Sequence, residues 1–196
     1  VVVVSALSGV TDLLILAANK ASLKDISYKD LILKIELKHQ TIIKELLPIS
    51  EQECTLNAFN YELNLLKTLL DGCYLLGELS NRTSDTILSF GEQFSSGIIA
   101  EALIQEIPES SHADSRNFIK TNNHFGKAVV DFEITNSLIN KVSQFKYEKI
   151  TVIPGFIASS IDGNTTTLGR GGSDYTAAIV AAALNAAQLE IWTDVN

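Results

Sequence analysis

The sequence predicts an α/β fold in which helices cover a mostly parallel sheet. Three observations carry that prediction. The β-branched Val1, Val2, Val3 and Val4 open a strand-like run over residues 1–6, of the kind that is buried on both faces of a parallel sheet. Apolar residues recur at helical spacing over 28–47, 51–76 and 83–103. Beyond residue 149 the pattern changes to short strands, a hairpin signal, a glycine-rich loop and an alanine-rich helix.

Each element follows in order. After the first strand, Ser5-Ala6-Leu7-Ser8-Gly9-Val10-Thr11 is small, hydroxylated and flexible, and Leu13, Leu14, Leu16, Ala17 and Ala18 then read as helix. This is a βα unit whose loop lies at the carboxyl end of its strand, where ligands bind in open α/β sheets. The plainer reading is a connecting turn capped by Ser and Thr. The helix over 28–47 stops at Pro48, and the one over 51–76 is expected to pair with it antiparallel. His39 on the first of these reads as a solvated or half-buried side chain. In 83–103, Phe90, Phe94, Ile98 and Ala102 make a core stripe, while Gly91-Glu92 interrupts it. A helix-interior glycine costs about 1 kcal/mol against alanine. A ligand or backbone passing close by would account for it, and Glu92 could then offer its carboxylate to a substrate ammonium group. On its own, Glu92 reads as a solvated surface glutamate.

His112 and Asp114 lead into a short polar strand pair and lack a third metal ligand. A helix is expected over 134–145 and a buried strand over 149–153, broken by Pro154-Gly155-Phe156. Asp162-Gly163 between 157–160 and 165–168 is a hairpin signal. The hairpin delivers the chain into Gly169-Arg170-Gly171-Gly172-Ser173-Asp174. A small-residue helix over 175–185 and a strand over 189–192, ending at Thr193-Asp194, complete the pattern.

Composition excludes several classes. With 196 residues and a net charge of −8, nucleic acid and anionic membranes are poor partners. No apolar run approaches the roughly 18 residues that span a bilayer, and no basic segment precedes Val1 to make a signal peptide. Cys54 and Cys73 fit no metal or redox spacing and are expected as buried free thiols in a reducing cytoplasm.

The glycine loop carries the chemistry. Its glycines let a phosphate approach closely, and two of them can take positive φ. The following helix offers unpaired N–H groups and the positive end of its dipole. Ser173 or Asp174 can cap its first turn. Arg170 can hold a carboxylate or phosphate through two parallel hydrogen bonds. A plain capped βα turn would look similar. A dinucleotide fingerprint fails, because Asp174 takes the place of the third glycine. Asp194, at a strand's carboxyl end, is placed for a metal ion or a ribose hydroxyl.

Taken together, the 3–11 segment, Ser89-Phe90-Gly91-Glu92, Gly155-Phe156-Ile157, the 167–176 segment and Glu190-Ile191-Trp192-Thr193-Asp194-Val195 resemble the aspartate kinases of the amino acid kinase family. The resemblance runs the length of the chain. It implies a three-layer αβα sandwich. It also implies phosphoryl transfer from MgATP to the β-carboxylate of L-aspartate, the step that opens lysine, threonine, methionine and isoleucine synthesis. In that setting Arg170 clamps an aspartate carboxylate, Glu92 takes the α-ammonium, and Ser5, Thr11, Phe156 and Ser173 line the substrate end. Asp174 helps orient the transfer centre by holding a catalytic lysine. Gly171 and Gly172 cradle phosphate, and Thr193 and Asp194 face the nucleotide. A dicarboxylate meeting a triphosphate brings strong like-charge repulsion, which Mg²⁺, a lysine, Arg170 and helix N-termini offset. Such kinases work in the cytoplasm, and homo-oligomers are usual.

The chain departs from the family pattern at both ends. It lacks the Lys-Phe-Gly-Gly-Thr-Ser motif of the family's first strand and the Gly-Val/Ile-Tyr segment after Thr-Asp-Val. It is therefore expected to be a catalytic-domain fragment spanning 1–196, with little or no activity of its own. Other readings are a kinase of glutamate, N-acetylglutamate or a nucleoside monophosphate, a non-catalytic dinucleotide-binding module, and an assembly fragment.

Overall fold

The computed structural model describes residues 1–192. β1 (Val2–Val4) and β2 (Ser110–His112) flank β4 (Ile150–Pro154), both in parallel, with Val3 opposite Ile153 and Ser111 opposite Thr151. In a second three-stranded sheet, β3 (Lys120–Thr121) runs parallel to β5 (Ile157–Ser160), and β5 pairs antiparallel with β6 (Thr165–Thr167). The antiparallel ladder is the expected hairpin, closed where Ser160 N–H donates to the Asn164 carbonyl at 2.8 Å.

The helices are α1 (Val10–Ser22), α2 (Tyr28–Leu46), α3 (Ile49–Leu76), α4 (Asn81–Glu106), α5 (Phe132–Ile139), the single-turn α6 (Gln144–Tyr147) and α7 (Gly172–Ala183). α4 lies against β1, β2, β4 and β6, and α1, α2 and α3 pack on α4. Their apolar stripes meet in one core that includes Leu14, Ile35, Phe59, Leu63, Phe90 and Phe94. A second core joins Ile153 and Ala158 of the sheets to Ile179 and Val180 of α7 and Ile139 of α5. The fold is α/β with a mostly parallel sheet, as the sequence predicts.

Several local expectations differ. Residues 189–192 have a β-like sequence but no ladder partner among the described residues, and Leu189, Ile191 and Trp192 are exposed. A strand exists only through the neighbour that takes its hydrogen bonds. The helix expected over 134–145 ends at Ile139, and α6 follows after a break. The polar strands near 112 do not pair with each other. β2 and β3 belong to different sheets, separated by a 3-10 turn at Ser115–Asn117. Cys54 is exposed rather than buried. His39 is fully buried, because its position on α2 faces the rings of Phe59 and Phe94. Among the described residues no helix is long and apolar enough to cross a membrane.

Candidate active site

The site is assembled from three chain segments that leave the sheets at their carboxyl ends. At the end of β1 the Val4 carbonyl accepts from Gly155 N–H at 2.8 Å, which joins the first loop to the turn after β4. α4 secures the same loop from the other side. Ser95 Oγ donates to the Ser5 carbonyl at 2.7 Å, and Ala6 N–H donates to Glu92 Oε1 at 3.4 Å. Gly91 explains itself here. A Cβ on it would stand 2.9 Å from the Ala6 Cβ and 3.4 Å from Leu14 Cδ1, so only glycine lets α4 approach this closely.

The third segment is the glycine loop. Leu168 N–H donates to the Phe156 carbonyl at 2.9 Å, which holds the end of the hairpin beside the turn after β4. Gly171 then takes φ 73° as the N-cap of α7, a conformation that side chains disfavour. Among the described residues no side chain caps that helix. Ser173 and Asp174, expected as caps, instead lie inside its first turn, because the helix starts at Gly172. The first N–H groups of α7 are therefore open to a ligand. Phe156 is held at φ 61°, a strained backbone for a bulky residue, with its N–H donating to Thr176 Oγ1 at 3.1 Å. Thr176 is fully buried and donates in turn to the Gly172 carbonyl at 2.9 Å.

These segments and α4 line one open cavity of about 320 Å³. Ser5 and Thr11 line it from the first loop, Glu92 from α4, and Phe156 from the turn after β4. Gly169, Arg170, Gly171, Gly172, Ser173 and Asp174 line it from the glycine loop and the start of α7. Ser5, Ser173 and Asp174 also border a neighbouring cavity of about 680 Å³ that runs along α7 and β1. The structure thus brings together every candidate the sequence singled out except Thr193 and Asp194, which lie outside the described residues.

The cavity is electrostatically polarised. Glu92 is 4% exposed, so it is not a solvated glutamate. Its Oε2 is buried without a hydrogen-bond partner among the described residues. Burial pushes its carboxyl up to about 7, while the Ala6 N–H pulls the other way. Arg170 is exposed and has no ion-pair partner among the described residues. A buried carboxylate lacking a cation and a guanidinium lacking an anion therefore line one cleft. An amino acid carries both missing charges. Elsewhere, His112 Nε2 meets Ser96 Oγ at 3.0 Å and Asp114 pairs with Arg116 at 2.6 Å. Among the described residues no group of three side chains could hold a metal.

Sequence reasoning missed Ser95, Thr176 and Asp85. Asp85 is buried on α4 and holds the end of β6.

A model of the amino acid kinase family matches residues 1–196. The chain belongs to the amino acid kinase family. It is 33% identical, over its whole length, to bifunctional aspartokinase/homoserine dehydrogenase 2, chloroplastic, of Arabidopsis thaliana, and spans 21% of that protein. Among solved structures, E. coli aspartokinase III in complex with lysine and aspartate superposes with a TM-score of 0.90 at 30% identity, covering 98% of this chain and 42% of that one. The same enzyme in complex with aspartate and ADP superposes with a TM-score of 0.87 at 31% identity, again covering 98% and 42%. The chain thus spans less than half the length of these relatives. Within this family member, the polarised cavity sits where α/β sheets place ligands, at the carboxyl ends of β1 and β4.

Proposed function

We propose that the protein carrying this chain is an aspartate kinase. It transfers the γ-phosphoryl group of MgATP to the β-carboxylate of L-aspartate and yields 4-phospho-L-aspartate, the entry to lysine, threonine, methionine and isoleucine synthesis. The observation that carries the reading is that Glu92 and Arg170, unpaired with each other, line one small cavity. Similarity to an enzyme solved with aspartate and ADP supports it.

In this reading the substrate's α-ammonium group meets Glu92 Oε2, which has no partner among the described residues. Arg170 clamps a carboxylate with its two parallel donors. Ser5, Thr11, Phe156 and Ser173 shape the pocket. The uncapped first turn of α7, with Gly171 and Gly172, fits a phosphate by its free N–H groups and dipole. Mg²⁺ arriving with the nucleotide would supply charge neutralisation, and Asp174, at the border of both cavities, would help orient the transfer centre. Thr193 and Asp194 remain nucleotide-side candidates. Phosphoryl transfer asks the protein for alignment and charge more than for covalent help, and these groups supply both. The proposed setting is a cytoplasmic homo-oligomer.

The test is ATP-dependent aspartyl hydroxamate formation by the whole protein. Arg170→Ala is expected to raise the KM for aspartate at least about tenfold, as loss of a charged partner costs on the order of 2–5 kcal/mol. A KM within about twofold of the parent would remove Arg170 as the clamp. Equal turnover of glutamate would remove aspartate as the substrate.

A further inference from the structure

Asp85 is 1% exposed in the second turn of α4. Its Oδ1 accepts from Thr167 Oγ1 at 2.9 Å. Its Oδ2 accepts from Thr167 N–H at 3.1 Å and from Gly126 N–H at 2.9 Å. Among the described residues no cation pairs with it. Burial pushes its carboxyl up, and the Gly126 and Thr167 bonds pull it back. A buried carboxylate held only by neutral donors is a costly way to close a hairpin, unless the position of the hairpin end matters.

The position does matter to the cavity. Thr167 is the last residue of β6, two residues before Gly169, where the lining of the cavity begins. Its carbonyl accepts from Ala128 N–H at 3.1 Å, so the strand end is held on both sides. The Gly126 carbonyl lies 3.8 Å from where a Cβ on Gly169 would stand, so the turn that Asp85 binds also backs the loop. Asp85 and Glu92 are seven residues apart on one helix. Two helical turns put them on the same face, roughly 10 Å apart along the axis. One stiff helix therefore holds the carboxylate that faces the cavity and, two turns earlier, the carboxylate that fixes the root of the Arg170 loop. Arg170 itself has no side-chain hydrogen bond among the described residues that could fix it otherwise.

We infer that Asp85 is a positioning residue of this site: by tying Thr167 and the Gly126 turn to α4 it sets the separation between the Arg170 guanidinium and the Glu92 carboxylate. The inference rests on the aspartate-site reading above. Alanine at 85 leaves the buried N–H and hydroxyl of Thr167 and the Gly126 N–H without their acceptor, and the hairpin end is free to shift. Asparagine keeps the geometry. Its oxygen takes both N–H groups at the Oδ2 position, and its NH₂ donates to Thr167 Oγ1.

The test is steady-state kinetics on the whole protein. Asp85→Ala is expected to raise the KM for aspartate about tenfold or more, leave the KM for ATP within about threefold, and be rescued to within about threefold by Asp85→Asn. In an Arg170→Ala background the same substitution adds less than about twofold, because the group it positions is gone. An unchanged aspartate KM in folded Asp85→Ala, failure of Asp85→Asn to rescue, or full multiplication of the two effects overturns the inference. If Asp85→Ala does not fold, Thr167→Val, which deletes only the bond to Oδ1, decides. A rise of about threefold in aspartate KM that disappears in the Arg170→Ala background supports the inference, and no rise overturns it. Arg170→Ala with an unchanged aspartate KM instead removes the site reading and this inference with it. A positive Arg170→Ala result with a silent Asp85→Ala removes the inference alone.

Discussion

His39 and Glu92 are both buried, both titratable, and both have one side-chain atom without a partner among the described residues. His39 sits between α2, α3 and α4, stacked on Phe59 with ring centroids 5.4 Å apart and edge-on to Phe94 at 5.2 Å. Its Nδ1–H donates to the Ile35 carbonyl at 2.7 Å, so the neutral ring turns its bare Nε2 toward aromatic carbon. Glu92 lies two residues before Phe94, on another face of α4, and its bare Oε2 belongs to a residue that lines an open cavity with Arg170. The same defect has two meanings. Beside packed rings it is a cost the fold absorbs through stacking, whereas beside a cleft it fits the binding group of the proposed function.

That contrast can be broken or sharpened by four measurements. Glu92→Gln carries the largest effect. The KM for aspartate is expected to rise at least about 30-fold at pH 8, since the proposed substrate ammonium would lose a buried counter-charge. His39→Ala comes next. It is expected to cost about 3 kcal/mol in denaturant unfolding, the range for deleting a packed aromatic ring, with aspartate KM within about twofold of the parent. Any large change in KM there would end the distinction between the two sites.

Third, Glu92→Gln should stabilise the protein while it harms binding. With the Glu92 carboxyl raised to about 7, the folded state holds a proton that the unfolded chain has already released. Stability therefore falls as pH rises from the ordinary carboxyl range to about 7, and the loss is complete above it. The variant is expected to gain on the order of 2 kcal/mol at pH 8 and nothing near pH 4. Thermal melts across that range check it, and a constant offset would contradict it. The smallest effect belongs to His39 in acid. Burial lowers its proton affinity, so the unfolded state takes up a proton that the folded ring refuses, and stability is lost as pH falls below the ordinary histidine range. The fall in melting temperature toward pH 5.5 is expected to be shallower in His39→Leu.

Much of this architecture was legible in the residues themselves. Helical periodicity placed α2, α3 and α4 within a few residues of their ends, and Asp162-Gly163 placed the hairpin. The glycine loop showed its positive-φ positions, since Gly169 and Gly171 both adopt one. Burial was harder to read, because it depends on what lies opposite. His39 shares a helical face with Ile35 and Ile43, yet its polar ring suggested solvent. Glu92 looked like a surface charge until the first loop was laid against it. Asp85, next to Ser84 near a helix start, has the local signature of a capping residue, and nothing nearby in sequence shows that its partners are 41 and 82 residues away. The apolar run 189–192 has strand chemistry but no neighbour to pair with among the described residues.

The turns at 155–156 and 172–173 are cut to each other crosswise. A methyl group on Gly155 would come within 2.6 Å of Ser173 Cβ, and one on Gly172 within 2.7 Å of Phe156 Cδ2. They form a dovetail joint with no clearance, so a change in either tongue displaces the other. Random mutagenesis aimed at a new substrate would find this joint closed to it. Variation would have to enter through Ser5, Thr11 or the exposed tip at Arg170, where the wall of the cleft has room to be recut.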